Sequence, residues 1–198
     1  MVKDGIPFVA LPLIVSIAFA YFGYWIVAVP LFALAAFMVF FFRNPSRSIP
    51  DEPNIVVSAA DGKVTRIEET EDGMLVSVFL SPLDVHVNRS PIAGEVISIK
   101  RFKGKKRPAT SNEASSTNER NQLTIKGQSI TVVCTQIVGI MARRIVCWPK
   151  EGDRLDRGQL FGLIRFGSRT DLLLPAHVSI NVEVGDRVRG GETIIAKY

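Results

Sequence analysis

The sequence has little of what most site chemistries need. It holds two cysteines, Cys134 and Cys147, and two histidines, His86 and His177. Two widely spaced cysteines in apolar surroundings supply neither a disulfide framework nor a zinc site, and they read as reduced core residues. Two isolated histidines cannot build a metal centre without unusual help from carboxylates, so no metal is expected. No sustained heptad pattern is present, and no nucleic-acid-binding motif accompanies the net charge of +5, so no nucleic-acid partner is expected. Charge itself is missing from one place, because residues 5–42 contain no Asp, Glu, Lys or Arg.

An uncharged stretch becomes a membrane candidate at about 18 to 20 residues, since a helix rises about 1.5 Å per residue across a hydrocarbon core of about 30 Å. This stretch is nearly twice as long. One straight helix would overshoot, whereas two short helices over residues 6–21 and 26–42 fit with some thinning of the bilayer or partial insertion. Gly23 lies at the midpoint among Tyr21, Phe22, Tyr24 and Trp25, which suits a turn at headgroup level. Lys3, Arg43 and Arg47 then share one side, which the positive-inside tendency makes cytoplasmic. A cleavable signal peptide would be shorter, and no small-residue cleavage site precedes the polar part.

The expected organisation is a membrane-inserted helical hairpin over residues 1–43, a proline-rich linker over 44–54 and one domain over 55–198. The cluster Arg101, Lys103, Lys105, Lys106 and Arg107 suits either a solvated loop or attraction to anionic lipid headgroups. Short β-type runs recur at 55–58, 63–67, 74–80, 94–99, 123–125, 130–134, 160–165, 171–174 and 193–196, usually punctuated by Gly, Pro, Asn or Asp. One helix is expected in or near 138–145. Gly152-Asp-Arg-Leu-Asp-Arg-Gly158 and Gly185-Asp-Arg-Val-Arg-Gly-Gly191 repeat a Gly-Asp turn, an apolar residue and a second Gly, implying two similar hairpin corners. These corners resemble those of lipoyl and biotinyl carrier domains. The fold class expected is therefore mainly β, a compact sandwich or barrel-like domain of the barrel-sandwich hybrid kind.

Three places have residues fit for chemistry: Ala60-Asp-Gly-Lys-Val64, the segment from Phe79 through His86 to Pro91, and Arg165-Phe-Gly-Ser-Arg169. Taken singly, the Gly-Ser pair and the Asp-Gly pair read as turns and His86 as a partly buried histidine. His177, beyond Pro175, reads as an exposed or hydrogen-bonded loop residue. Taken together and in this order, with Phe41-Phe-Arg-Asn-Pro45, residues 114–121 and residues 136–146, they resemble the short bacterial and archaeal form of the phosphatidylserine decarboxylase family over nearly the whole chain. Ala59-Ala60 and residues 107–110 depart from that pattern, and Arg89 stands where many relatives carry a second histidine.

The resemblance implies a pyruvoyl-dependent proenzyme, a zymogen of phospholipid biosynthesis acting at the cell membrane. Decarboxylating an amino acid leaves electrons on the α-carbon, and a carbonyl joined to the substrate amine as a Schiff base can accept them. The family makes that carbonyl from an internal serine. Here Ser168 would attack the carbonyl of Gly167, with His86 as the base and Asp61 orienting it, to give residues 1–167 and 168–198 held together as a heterodimer that can oligomerise further. The covalent pyruvate derived from Ser168 would convert phosphatidylserine into phosphatidylethanolamine and carbon dioxide. Arg143, Arg144 and the 101–107 cluster are candidates for the substrate phosphate by charge. Two alternatives stay open: archaetidylserine as substrate, and a non-enzymatic membrane-anchored lipoyl-like adaptor.

Overall fold

The computed structural model describes residues 1–198 except 106, 109, 110, 112, 141–143, 166 and 167. It divides into two units, Met1–Ser46 and Arg47–Tyr198. In the first, a 3-10 turn leads into α1 (Ile6–Tyr21) and α2 (Trp25–Phe41). Gly23, at φ +80°, makes the reversal between them where the sequence places its glycine. The two helices pack on one another, and Ser16 Oγ donates to Ala28 O at 2.7 Å. Leu11, Ile14, Ile17 and Ile26 remain exposed on them. By length and composition Lys3–Tyr21 is sufficient to cross a membrane, and the 17-residue Trp25–Phe41 is shorter. These features fit membrane association.

The second unit is mainly β. Its strands are β1 (Ile55–Val57), β2 (Gly62–Thr70), β3 (Gly73–Leu80), β4 (Val87–Arg89) and β5 (Gly94–Phe102), then the single turn α3 (Ala114–Thr117). There follow β6 (Arg120–Lys126), β7 (Thr131–Val138), β8 (Ile145–Cys147), β9 (Arg154–Leu155), β10 (Leu160–Ile164), β11 (Ser168–Leu174), β12 (Ser179–Ile180), β13 (Arg187–Val188) and β14 (Ile194–Lys197). An eight-stranded sheet in the order β13-β2-β3-β11-β7-β6-β5-β9 curls into a half-barrel. Two three-stranded sheets, β1-β14-β12 and β4-β10-β8, complete the unit. One face of the curl is packed with Val64, Val76, Val78, Val96, Leu123, Ile125, Val132, Leu172 and Leu174, all buried. Burial of that apolar face, at about 25 cal/mol per Å², is the main term holding the sheet closed.

The repeated Gly-Asp corners occupy equivalent places. β9 pairs with the start of β5 and β13 with the start of β2, so the corners sit at the two edges of the large sheet. Gly152 and Gly185 donate to Val96 O and Val64 O at 2.8 Å, and Val96 and Val64 donate back to Asp153 O and Asp186 O at 2.8 Å. The Asp153 and Asp186 carboxylates take the amides of Lys150 and Glu183. A second repeat joins each corner: Ser58-Ala-Ala-Asp-Gly-Lys-Val64 and Ser90-Pro-Ile-Ala-Gly-Glu-Val96. Ser58 O accepts from Gly191 and Ser90 O from Gly158, each at 2.8 Å. Bulges at Val64/Arg66 and Val96/Ser98 bend β2 and β5 alike, which accounts for the curl. The two copies meet between β11 and β7.

Two local details differ from the sequence reading. Residues from Arg47 onward pack with the β unit: the Arg47 side chain is 7% exposed and pairs with Asp61 at 2.7 Å and Glu192 at 3.4 Å. A guanidinium committed in this way is a weaker topological signal than a free flanking cation. The helix expected in or near 138–145 is replaced at its described ends by strand, Val138 closing β7 and Ile145 opening β8, while 141–143 lie outside the described residues. Short runs of β-branched residues satisfy either period, and here pairing to β11 and β10 decides.

Gly62 tests the corner geometry. A Cβ there would lie 2.1 Å from Phe79 O, at φ +153°. Gly62→Ala is expected to cost about 3 kcal/mol or more, whereas Gly152→Ala, at φ +91° in open space, should cost about 1 kcal/mol. Thermal melting of both variants in detergent checks the contrast, and equal losses would contradict it.

Candidate active site

Ser168 opens β11 and is fully buried. It stands opposite Leu80 of β3 and Val138 of β7, hydrogen-bonded strands on both sides. Its Oγ has no hydrogen-bond partner among the described residues. A buried hydroxyl left unpaired costs about 1–3 kcal/mol, and Ser77 Oγ on β3 shares this state among the described residues. Gly167, on the other side of the proposed scissile bond, lies outside the described residues.

His86 approaches the same connection from another sheet. The turn before it is built by Ser81-Pro-Leu-Asp84: Asp84 N donates to Ser81 O at 2.9 Å and Asp84 Oδ2 takes the Ser81 amide at 2.8 Å. This turn presents Asp84 O to His86 Nδ1 at 2.9 Å. A carbonyl can only accept, so Nδ1 carries the proton and Nε2 is the basic nitrogen of the neutral ring. His86 is 2% exposed, and its own carbonyl accepts from Ile164 N at 3.3 Å, four residues before Ser168.

Asp61 sits in the corner that precedes β2. Oδ2 meets Arg47 at 2.7 Å, and Oδ1 accepts from Gly190 N at 2.8 Å. The carboxylate that the resemblance casts as orienting His86 thus ties the 47–49 segment to the β13–β14 turn, and it is Asp84 O that lies on His86 Nδ1. Arg89 joins this cluster and donates to Gly158 O at 2.9 Å. Burial, then Arg47, pushes the Arg89 guanidinium below its ordinary value, with Asp61 and Glu192 opposing. The Ser48 amide, then Arg47 and Arg189, holds the Glu192 carboxyl below its ordinary value against the opposing effect of burial. Arg144 is described and offers its carbonyl to Arg165 N at 3.2 Å; Arg143 lies outside the described residues.

Sequence reasoning missed two features beside Ser168. The first is a buried amide row: Asn121 Nδ2 donates to Gln136 Oε1 at 3.1 Å, Gln136 Nε2 to Asn88 Oδ1 at 2.9 Å, and Asn88 Nδ2 to Thr170 Oγ1 at 3.1 Å. It crosses from β6 to β11 on the face that carries Ser168. The second lies on the opposite face, where Arg169 pairs with Asp171, Nη2 donating to Oδ2 at 3.1 Å and Nε lying 2.8 Å from Oδ1 as an ion-pair contact. Arg169 also bonds Ser115 Oγ and Ser111 O, so the pair clasps the 111–115 segment behind β11. Neutral amides have no distinctive spacing, and an Arg-x-Asp pair on a strand reads as a solvated edge, so neither announced itself. Burial pushes both cysteine thiols above their ordinary value, which makes them poor nucleophiles.

The phosphatidylserine decarboxylase family model matches residues 34–196. The chain belongs to the phosphatidylserine decarboxylase family. It is 45% identical to the phosphatidylserine decarboxylase proenzyme of Symbiobacterium thermophilum, over 98% of this chain and 94% of that one. It is 40% identical to the proenzyme of Geotalea uraniireducens, with 97% and 93% covered, and 39% identical to that of Nitrosomonas eutropha, with 99% and 94% covered. The family is one of carboxy-lyases.

The buried pair gives a stability test. Arg169→Met leaves Asp171 buried, its ion-pair partner removed, and should cost about 3–5 kcal/mol; the double change Arg169→Met with Asp171→Leu should return most of that loss. Urea unfolding of the single and double variants measures both.

Proposed function

We propose that the chain is a membrane-associated phosphatidylserine decarboxylase that generates its own pyruvoyl group by cleavage between Gly167 and Ser168. The observation that carries this reading is the buried Ser168 Oγ, without a partner among the described residues, at the head of a doubly paired strand. Relatives at 38–45% identity that are named as proenzymes support it.

In this reading the Ser168 hydroxyl adds to the Gly167 carbonyl, and the peptide nitrogen leaves to give an ester. Loss of the Ser168 α-proton expels the Gly167 carboxylate and leaves an enamine, which takes up water and releases ammonia to yield the ketone. A serine hydroxyl needs a base for the first step, and His86 Nε2 is the basic nitrogen available, its ring set by Asp84 O. Asp61 contributes through the corner it fixes with Arg47 and Gly190. The fit to the cofactor rests on Ser168 itself: its orphaned Oγ is the atom the chemistry consumes, so maturation removes a buried unsatisfied group.

A pyruvoyl group at position 168 would supply the electron sink that decarboxylation of an amino-acid headgroup needs. The chain's residues then have three tasks. The β3 and β7 ladders hold position 168 after the backbone is cut. The amide row beside Thr170 lines the same face with fixed dipoles. His86, released from the cleavage step, then returns a proton to the α-carbon.

The same proposal covers the finer organisation: a hairpin of α1 and α2 in the cell membrane with the β unit on the cytoplasmic face, and a heterodimer of residues 1–167 and 168–198 acting on phosphatidylserine to give phosphatidylethanolamine. The duplicated corners support a fold of the lipoyl and biotinyl kind.

Intact-mass measurement tests the core of this. Wild-type protein should yield a 168–198 fragment with no free amino terminus, and Ser168→Ala should stay whole and release no carbon dioxide from phosphatidylserine; His86→Gln should slow cleavage about 10²- to 10⁴-fold. A wild-type chain that stays uncut would refute the reading. Deleting residues 1–42 should move the protein from the membrane to the soluble fraction, and undiminished sedimentation with membranes would count against the anchor.

A further inference from the structure

A cavity of about 250 Å³ opens at one end of the amide row, lined by Arg101, Lys103, Arg120, Arg144, Asn121 and Glu119 among others. Cations dominate it. Arg120 is already engaged, stacked on the Phe102 ring at 4.3 Å and donating to Ser116 O at 2.7 Å. Arg101, Lys103 and Arg144 are exposed and enter no ion pair among the described residues. Glu119 is the single carboxylate among these six residues, so the cavity carries an excess of positive charge.

Register places this cavity relative to Ser168. Thr170 stands opposite Gln136, Gln136 opposite Asn121, and Asn121 opposite Arg101. Directly opposed residues share a face, and Thr170 shares its face with Ser168 two positions earlier. Asn121, which is 1% exposed, is both the wall of the cavity and the first member of the row. Two strand spacings, about 10 Å, separate β11 from Asn121 on β6, and a third, making about 15 Å in all, separates it from Arg101 on β5, whose side chain can extend back across part of that gap. Arg101 therefore stands in the row that continues, strand by strand, from the face that carries Ser168, and Arg144 lines the same cavity.

We infer that this cavity binds the phosphodiester of the substrate headgroup, with Arg101 and Arg144 as its principal ligands and Lys103 beside them. The inference rests on the decarboxylase reading above. A phosphodiester keeps its charge throughout the reaction, so holding it strengthens binding equally in ground and transition states. The substrate carboxylate loses its charge as carbon dioxide leaves, and cations placed on it would stabilise the ground state and raise the barrier. A cation-rich site set back from position 168 by the width of the amide row suits the first role and avoids the second.

The test uses full-length Arg101→Gln, Arg144→Gln and Arg101→Lys, with short-chain phosphatidylserine in neutral detergent micelles. Cleavage at Gly167–Ser168, followed by intact mass, reports folding and maturation and should match wild type in all three. The glutamine variants should raise KM about tenfold or more with kcat within about twofold, and Arg101→Lys should recover part of the loss. An unchanged KM overturns the inference, as does a KM rise that appears only when anionic phosphatidylglycerol is added, which would make the patch a surface attractor. So does a glutamine variant that cleaves normally but loses kcat instead. If wild type itself fails to cleave, the decarboxylase reading falls first, and the two failures are told apart.

Discussion

Strand β11 is hydrogen-bonded along both edges, to β3 from Ser168 through Leu174 and to β7 from Ser168 through Leu173. The rest of the site depends on that double ladder. A strand held on one side only would fray at its first residue, and a hydroxyl at a frayed end would find water. Because Ser168 is locked into both ladders it stays buried, and the cost of an Oγ without a partner among the described residues is carried by neighbours that gain from burial. The same arrangement would keep position 168 in place once the bond before it is cut, since β11 loses no ladder partner when the chain N-terminal to it is severed.

Around this strand the β unit is built twice. The corner glycines, the serines that accept from them, the bulged strands and the capping aspartates all recur, and the copies meet at β7 and β11. The candidate chemistry lies where the copies differ. Asp61 has Ala93 as its counterpart, so one copy anchors the 47–49 segment and the other does not. Repetition supplies a rigid frame because equivalent corners close against equivalent strands, and the unrepeated residues are then free to specialise.

Much of this was legible in the sequence. The helices were visible because 38 consecutive residues without charge, 5–42, are far longer than any buried strand and suit a helix that avoids water. The turn between them was visible because Gly23 sits among aromatics. Long strands such as β2, β3 and β5 were visible as apolar or β-branched runs between glycines. The two-residue strands β9, β12 and β13 were not, since two residues carry no period. The 58–64 and 90–96 repeat was also hidden, because few of its positions recur in type and its meaning lies in backbone hydrogen bonds. At the site, Ser168, His86 and Asp61 stood out through family resemblance. The partner of His86 Nδ1 did not, because it is a main-chain carbonyl, which every residue has.

Sequence alone determined the local properties: which segment avoids water, where the chain must turn, and which residues have nucleophilic or basic side chains. Those follow from residue type and spacing within a few positions of one another. Only the tertiary structure decided that Ser168 is buried and unpaired among the described residues, that Arg47 belongs to the β unit, and that Arg101, Asn121, Gln136 and Thr170 form one row. Each of these depends on strand order and register, which bring together residues tens of positions apart and decide by a one-residue step which face a side chain occupies.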